Sequence, residues 1–232
     1  MNAALDLRQL RKAKGWSQVE AARRLQVSQP YLSLLESGAR EITPTLSRRL
    51  LQALDLPPSF LPLPPSLDDW GAVTNDVLAK RLAALGYTRI AYLRTGARAE
   101  NPAAVLLWAL GAESLEPRLV EALPWLLLNF MALDTDWLVR EAKVRDLQNR
   151  LGFVVNLAKE VAVRDAQHAD RLEALTALEA TLDRSRLVCE DTLCEAAMSA
   201  MMRAVVRGSR SPSAAHWNLV TGWKAEHLRY DP

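Results

Sequence analysis

The chain has 232 residues but only two cysteines, Cys189 and Cys194. Two cysteines are too few for a disulfide scaffold, and their spacing differs from a CxxC redox motif, so we interpret both as small core residues rather than as a redox pair. The longest apolar runs, at 105–110 and 122–128, are much shorter than the ~20 residues that span a bilayer. The N-terminus lacks the apolar segment of a secretory signal. A reducing cytoplasm is the predicted location.

Sequence motifs of common enzymes are also missing. The chain contains no GxxxxGK(S/T), no GxGxxG and no GxSxG. His168, His216 and His227 are scattered without HExxH or partners at ligand spacing, so no metal site is predicted. His168, near Asp165 and Asp170, is interpreted as part of a solvated helix face rather than as a ligand. We predict that the protein is not an enzyme and binds no cofactor.

Neither sign of charge dominates the whole chain, whose formal net charge is +2. The charge is nevertheless uneven. Residues 1–56 hold nine Lys or Arg against five Asp or Glu, a net +4, whereas the other 176 residues hold 20 basic and 22 acidic side chains, a net −2. A basic head on a slightly acidic body favours contact between the head and a polyanion.

Prolines are concentrated in one segment, residues 54–70, which holds five of the twelve. Proline fixes φ and keeps the preceding residue out of the helical region, so this segment must be extended or turning. We predict a head at 1–56, a proline-rich linker at 57–69 and a body at 70–232. Phe60, Leu61 and Leu63 are expected to pack against one of these neighbours.

The body has helical periodicity nearly throughout and no convincing alternation of period two, so an all-α fold is predicted, with a helical bundle following the head. A long helix is expected from about Asp134 to Asp165, interrupted only by Gly152. A later helix is expected to open with Thr192 and Glu195 as a capping box. The other predicted helices are 74–85, 102–110, 116–130 and one marked by Leu172, Leu175, Leu178 and Leu182.

Three features of the body leave two interpretations open. The apolar stripe from Val144 to Val161 suits a bundle core, which we favour, or a coiled-coil seam between two chains. The tryptophan-flanked region 125–137 suits a packed core, which we favour, or an effector pocket. The segment 209–232 either docks on a partner or folds back on its own bundle.

Four short helices are predicted in the head. The first covers residues 5–15. Ser17 and Glu20 have the S-x-x-E spacing of a capping box, which satisfies two backbone N–H groups at a helix start. Ser28 caps the third helix, whose first turn contains Pro30. The predicted inward residues are Val19, Ala22 and Leu25 in the second helix, Leu32 and Leu35 in the third, and Leu46, Leu50 and Leu54 in a fourth that begins near Thr43.

Two short helices joined by a tight turn form a helix-turn-helix, in which the first braces the DNA backbone and the second enters the major groove. The exposed positions of the third helix are uncharged, as base reading requires, while cations flank it. Glutamine makes a bidentate pair with adenine, and Ser or an apolar group contacts the thymine methyl. The alternative is a purely structural four-helix module.

The stretch LRKAKGWSQVEAARRLQVSQPYLSLLESGAREITPTLSRRLLQAL resembles the lambda-repressor/Cro-type (Xre) helix-turn-helix domain over about residues 5–56. The markers are the GWSQ start, the small Ala22, the VSQ turn and the LESGAR end of the third helix. The resemblance does not extend to the body. It implies base-edge roles for Ser28, Gln29, Ser33 and Leu34, DNA-backbone roles for Ser17, Gln18, Tyr31, Ser37, Arg40 and Thr43, and an internal ion pair between Arg11 and Glu36.

The head departs from the family pattern at three positions. Gln26 replaces the usual turn glycine, at a cost of about 1 kcal/mol if its backbone is left-handed. Ala21 replaces an inward leucine, which thins the core. Leu34 replaces a commonly polar position, so it either reads a thymine methyl or is buried by the body.

These observations predict a sequence-specific DNA-binding regulator that reads the major groove with helix 28–37. A homodimeric repressor on an inverted-repeat operator of double-stranded DNA is expected, with the body as the dimerisation element, because one such module presents a small interface. The alternative is an antitoxin, whose body neutralises a partner toxin while the head represses the shared operon. A third hypothesis is a metabolite-responsive regulator.

Overall fold

The structure is a computed structural model that describes residues 7–64, 67, 73–93, 98–130, 132–228 and 230. Residues 65, 66, 68 and 69 of the predicted linker, and Trp70 beyond it, lie outside the described residues. Within the described part, α-helices dominate and the only strands are two of two residues each. The all-α fold class is therefore confirmed. No described helix is long and apolar enough to cross a membrane.

From residue 7 onward, the head consists of four α-helices: α1 (Leu7–Ala13), α2 (Gln18–Leu25), α3 (Gln29–Glu36) and α4 (Pro44–Leu54). Their apolar faces meet in one small hydrophobic cluster. Ala21 and Ala22 both lie in it, where their small side chains let α2 approach its neighbours closely. The other members of the cluster are Leu7, Leu25, Leu32, Leu35, Leu46, Leu50 and Leu54.

The prediction that Val19 points inward is wrong, because its side chain is 69 % exposed. Ala21 and Ala22, two and three positions further along the chain, form the buried face of α2 together with Leu25. The capping box is formed in one direction. The backbone N–H of Glu20 donates to Ser17 Oγ at 3.1 Å, but the Glu20 carboxylate accepts from Arg24.

In the described part of the body, eight further α-helices pack around a second and larger hydrophobic cluster. The longest, α9, lies at its centre and packs against α7 and α10. These helices are α5 (Asn75–Leu85), α6 (Pro102–Gly111), α7 (Pro117–Asn129), α8 (Thr135–Val144), α9 (Gln148–Arg164), α10 (Leu172–Asp183), α11 (Ala200–Ser209) and α12 (Pro212–His216).

The predicted long helix breaks at a different residue from the one expected. It ends at Val144, Asp146 takes a left-handed conformation with φ of 57°, and α9 begins at Gln148. Gly152 lies inside α9, where a Cβ would meet the Trp217 ring at 2.4 Å. The glycine therefore provides room for a buried indole and does not interrupt the helix.

The region after α10 also differs from its prediction. Thr192 does not open a helix; Asp191–Thr192 is a short strand, β1, that pairs in parallel with β2 (Leu219–Val220). The next helix, α11, begins at Ala200 and is capped by Ser199. Strands of two residues are too short to produce an alternating pattern of apolar and polar residues, so the sequence does not predict them.

The C-terminal segment folds back on its own chain. Trp217, Leu219 and Val220 are fully buried, and the Tyr230 hydroxyl donates to the Glu121 carbonyl at 2.7 Å. An ion pair joins β1 to α9, because the Arg150 guanidinium donates to the two carboxylate oxygens of Asp191 at 2.6 and 2.9 Å.

The stripe from Leu147 to Ala158 is buried in the body's own core, as a bundle requires, although Val144 at its start is 71 % exposed. In the tryptophan-flanked region Leu126, Leu127 and Leu128 are buried, and the Trp125 ring packs between Tyr87 and Phe130. Both arrangements are packed core.

The two cysteines differ. Cys194 is buried as predicted, but the prediction for Cys189 is wrong, because it is exposed on the loop after α10. His168 is partly buried, with its side chain 15 % exposed and its Nε2 3.7 Å from Asp165. The described residues contain no cluster of three or more His, Cys, Asp or Glu that could hold a metal ion.

The described part of the proline-rich segment is attached to the body. Residues 58–60 form a 3-10 turn, after which Leu61 is buried. The buried side-chain amide of Asn101, at the start of α6, donates to the carbonyls of Ser59 and Leu61 at 3.1 and 2.6 Å. Such carbonyls have no partners of their own in a proline-rich chain, so Asn101 fixes the path of this segment.

Candidate nucleic-acid interface

Helix α3 is anchored on one side and open on the other. Its start is set by Ser28, whose Oγ accepts from the Tyr31 backbone N–H at 3.3 Å, and by Pro30 in the first turn. Leu32 and Leu35 fix its inner side in the head core. The four residues predicted to face outward, Ser28, Gln29, Ser33 and Leu34, are all exposed in the full chain.

The exposure of Leu34, 43 %, excludes burial by the body. Together with the hydroxyl groups of Ser28 and Ser33 and the amide of Gln29, it gives the outer face of α3 hydrogen-bonding and apolar groups but no charge. Carboxylates would repel phosphates, and ammonium groups would bind DNA without reading it. The composition suits contact with base edges.

A side-chain network connects the two helices of the motif. Gln29 Nε2 donates to Gln18 Oε1 at 2.8 Å, and Gln18 Nε2 donates to Glu36 Oε2 at 2.9 Å. Gln18, at the first position of α2, therefore holds both the first and the last residue of α3. These bonds orient the Gln29 amide before any ligand is bound, which reduces the rotamer entropy lost on binding.

The network ends in a shielded ion pair. Arg11 on α1 donates to the two carboxylate oxygens of Glu36 at 2.5 and 3.1 Å and to the Trp16 carbonyl at 2.8 Å. The side chains of Arg11 and Glu36 are only 10 % and 4 % exposed. Hydrogen bonding from Arg11 lowers the pKa of Glu36. The pair thus joins α1 to the end of α3 and is not available to a ligand.

The residues predicted to contact the DNA backbone surround α3 but differ in what their side chains do. Ser17 and Thr43 cap α2 and α4, accepting backbone N–H bonds from Glu20 and Leu46. The Ser37 hydroxyl donates to the Leu34 carbonyl at 3.1 Å. Ser17 and Thr43 lie exposed at the starts of α2 and α4, and Ser37 lies exposed at the end of α3, so their hydroxyl groups are open to phosphate contacts. We refer to these three residues together with Gln18, Tyr31 and Arg40 as the rim.

Arg40 and Tyr31 complete the rim. Arg40 lies just beyond α3 and its side chain is exposed, while its backbone N–H donates to the Leu34 carbonyl at 3.2 Å. Tyr31 is half-buried and packs against the head core. Lys12, Lys14 and Arg23 are further exposed cations of the head.

Two contacts at the start of α2 were not expected from the sequence. The Arg24 guanidinium stacks over the Trp16 ring at 4.5 Å, and it also pairs with Glu20 at 2.8 Å. The i, i+4 spacing of Glu20 and Arg24 was a usable signal for the ion pair. The stacking on Trp16 had none, because it depends on how the chain turns after α1.

The turn between α2 and α3 is tight because Gln26 is left-handed, with φ of 55° and ψ of 45°. Its backbone N–H caps α2 by donating to the carbonyls of Ala22 and Arg23. Glutamine lacks glycine's freedom in this region, which costs about 1 kcal/mol. The head core stabilises this conformation, since Val27 packs directly against it.

Comparison with known protein families matches residues 7–61 to the helix-turn-helix family. This part of the chain is a helix-turn-helix domain of the lambda-repressor/Xre type, as its sequence predicted, and the match supports a DNA-binding transcription regulator. Neither the curated proteins nor the solved structures give a significant match to the chain.

Proposed function

We propose that this protein is a sequence-specific transcription regulator that reads the major groove of double-stranded DNA with the outer face of α3. The observation that carries the proposal is the outer face itself: Ser28, Gln29, Ser33 and Leu34 are exposed and uncharged, and the head core fixes the helix behind them. An α-helix presenting such groups fits the major groove, where each base pair has a distinct pattern of donors and acceptors.

Within this proposal the residues divide by role. Gln29, held by Gln18, pairs with adenine, and Leu34 contacts a thymine methyl. The hydroxyl groups of Ser28 and Ser33 contact neighbouring base edges. The positioning contacts to phosphates come from the rim, which comprises Ser17, Gln18, Tyr31, Ser37, Arg40 and Thr43.

The test replaces Gln29 by alanine and measures binding to a selected operator and to operators with single base changes. We expect Gln29→Ala to lose about 1–3 kcal/mol of discrimination at one base pair, while binding to unrelated DNA changes little. The matched control is Gln52→Ala, which removes an exposed glutamine amide from α4. Equal discrimination by wild type and Gln29→Ala would remove the basis for the groove assignment.

We further propose that the regulator is a homodimer that represses at an inverted-repeat operator. One helix-turn-helix module buries less surface than specific binding at physiological salt usually takes. Two copies related by a two-fold axis place two recognition helices about 34 Å apart, one turn of DNA.

The body is the proposed dimerisation element, and we favour a free-standing regulator over an antitoxin. A toxin partner that co-purified in a one-to-one ratio with the body, and was neutralised by it, would reverse this choice. A small-molecule effector would instead raise the melting temperature of the protein and quench its tryptophan fluorescence.

A further inference from the structure

Helix α11 lies on the surface of the body, and only Arg203 and Val206 of its ten residues are half-buried. Of the α-helices in the described part of the chain, it alone has no buried residue. Met201, Met202 and Val205 are 81 %, 52 % and 62 % exposed, and nothing lies within 4 Å of a Cβ built on Gly208. A ten-residue helix is marginal in water on its own. The exposed Met201, Met202 and Val205 give α11 an apolar surface that no other part of the described chain covers.

The charged side of α11 is turned toward its own body. At 100° per residue, Arg203, Arg207 and Arg210 fall on the side of the helix opposite Met201 and Val205. Arg207 donates to Glu190 at 2.8 Å through Nε. Arg210 lies 3.6 Å from the same carboxylate and donates to the Leu219 carbonyl at 3.3 Å.

This orientation is the reverse of an ordinary surface helix, which buries its apolar side and exposes its charges. Glu190 is the residue that fixes it, because it accepts from Arg207 and attracts Arg210 and Arg203. The outward row of α11 consists of Met201, Ala204, Val205 and Gly208, which lie three and four residues apart along the helix and are all exposed. We refer to these four residues as the α11 stripe.

We propose that the α11 stripe packs against the same stripe of a second copy of this chain, around a two-fold axis. The proposal deepens the proposed function, on which it rests for the need of a dimer. A two-fold interface brings the same patch of both copies together, so the patch must complement itself. The stripe meets this condition, since its small residues, Ala204 and Gly208, leave space for the larger Met201 and Val205 of the other copy.

The charges favour a second copy over other occupants. The stripe carries no charge, so two identical surfaces meet without repulsion. An amphipathic helix that binds a membrane instead keeps its cations free beside the apolar face to reach lipid phosphates. Here Arg207 and Arg210 are on the opposite side and already contact Glu190.

The small size of the stripe indicates that the two copies form a weak dimer. A standard interface uses roughly 20–30 residues on each side, more than a single ten-residue helix provides. We therefore expect free protein to dimerise in the micromolar range or weaker. On an operator the dimer gains strength, because DNA holds both heads and makes the stripe contact intramolecular.

Sedimentation equilibrium of the full chain, from about 1 to about 300 µM to cover a weak interface, tests the proposal. We expect wild type to shift from monomer to dimer, and a Met201→Glu, Val205→Glu variant to stay monomeric over the whole range. The matched control is Val144→Glu, Val163→Glu, since these valines are 71 % and 69 % exposed elsewhere on the body. Its self-association should equal that of wild type.

Symmetric cross-linking gives a second measurement. In a Cys189→Ser background, Ala204→Cys should oxidise to a disulfide-linked dimer, whereas Glu173→Cys on the exposed side of α10 should not. Wild type that stays monomeric throughout, or a charged-stripe variant that associates like wild type, overturns the proposal. So does equal cross-linking at positions 173 and 204.

Measurements of DNA binding distinguish a failure of the stripe contact from a failure of the proposed function. If the stripe variant binds a single half-site like wild type but loses the gain from two half-sites, both stand. Retained affinity for the full inverted repeat overturns the stripe contact and leaves base reading intact. A protein that dimerises through the stripe but shows no sequence preference overturns the proposed function alone.

Discussion

At the residue scale, Gln18 is the side chain that connects Gln29 on the outer face of α3 to the buried ion pair of the head. It is only partly exposed, and it accepts from Gln29 while donating to Glu36. The Gln18 amide makes both of these hydrogen bonds within the head, so its orientation is fixed before DNA binds. Under the proposed function, Gln18 would contribute to specificity by orienting Gln29, even without touching a base itself.

Arg40 is the residue for which a purely electrostatic role is expected. Neutralising it in Arg40→Ala should weaken binding to all DNA sequences alike and reduce the slope of log K against log salt by about 0.9, the share of one phosphate contact. Titrations at several salt concentrations measure this slope. The control is Arg140→Ala, an exposed arginine of the body whose side chain is 62 % accessible. A loss confined to one operator would contradict the role.

The ion pair of Arg11 and Glu36 predicts a pH dependence of the head. Because Arg11 lowers the folded-state pKa of Glu36, the stabilisation is fully present above the unfolded pKa of about 4.3 and is lost as pH falls through the folded value. At neutral pH, Glu36→Gln should therefore cost about 1.5–3 kcal/mol, the range for hydrogen bonds to charged groups.

Amide hydrogen exchange of α2 and α3 measures this effect in the head alone. The difference between wild type and Glu36→Gln should shrink as the pH is lowered below the unfolded pKa. Other carboxylates titrate in both proteins and cancel in the difference. A difference that stayed constant from neutral to acidic pH would show that the pair does not stabilise the head through its charge.

At the scale of elements, the packing of Trp217 on α9 shows why one helix boundary was mispredicted. A glycine inside a helical pattern is compatible with a break or with the close approach of another group. Here Gly152 provides the space for an indole that arrives from 65 positions later in the chain. Only the tertiary structure distinguishes these cases.

Gly152→Ala should consequently destabilise the body, because the new methyl group would lie 2.4 Å from the Trp217 ring. Overpacking of this kind costs about 1–3 kcal/mol or more. The control is Gly208→Ala in α11, where no atom lies within 4 Å of the new Cβ and where alanine gains up to about 1 kcal/mol in helix propensity. Chemical denaturation of dilute protein compares the two. Similar stabilities would mean that the ring moves freely.

The helices of the head could be predicted because the capping residues, the turn residues and the spacing of apolar residues all indicated the same four helices. Ser17, Ser28 and Thr43 each cap the helix that follows them. In the body the positions of α5, α6, α7 and α10 followed from periodicity for the same reason. The left-handed Asp146 and the two-residue strands depend on contacts between distant segments, so no local sequence pattern predicts them.

The candidate site was likewise predictable in part. Exposure of Ser28, Gln29, Ser33 and Leu34 follows from the burial of Leu32 and Leu35 on a helix. The link from Gln29 through Gln18 to Glu36 required the angle between α2 and α3, which periodicity does not give. The outward orientation of α11 required knowing that Glu190 would attract its arginines.

At the scale of the whole molecule, charge and apolar surface are separated along the chain. Residues 1–56 carry a net +4 and the remainder a net −2. The uncharged face of α3 lies in the basic head, and the α11 stripe lies in the acidic body. Under the proposed function, the net negative charge of the body would disfavour its non-specific contact with DNA, while the positive head attracts it.

The most direct test of the account is selection from a random pool of double-stranded DNA, carried out with wild type and with a Gln29→Ala, Ser33→Ala variant. The account predicts that wild type enriches an inverted repeat with half-sites about 34 Å apart, bound by two copies of the chain. The variant should enrich a motif that is relaxed in both half-sites. Enrichment of the same motif by both proteins, or of none by wild type, would contradict the claim that α3 reads the sequence.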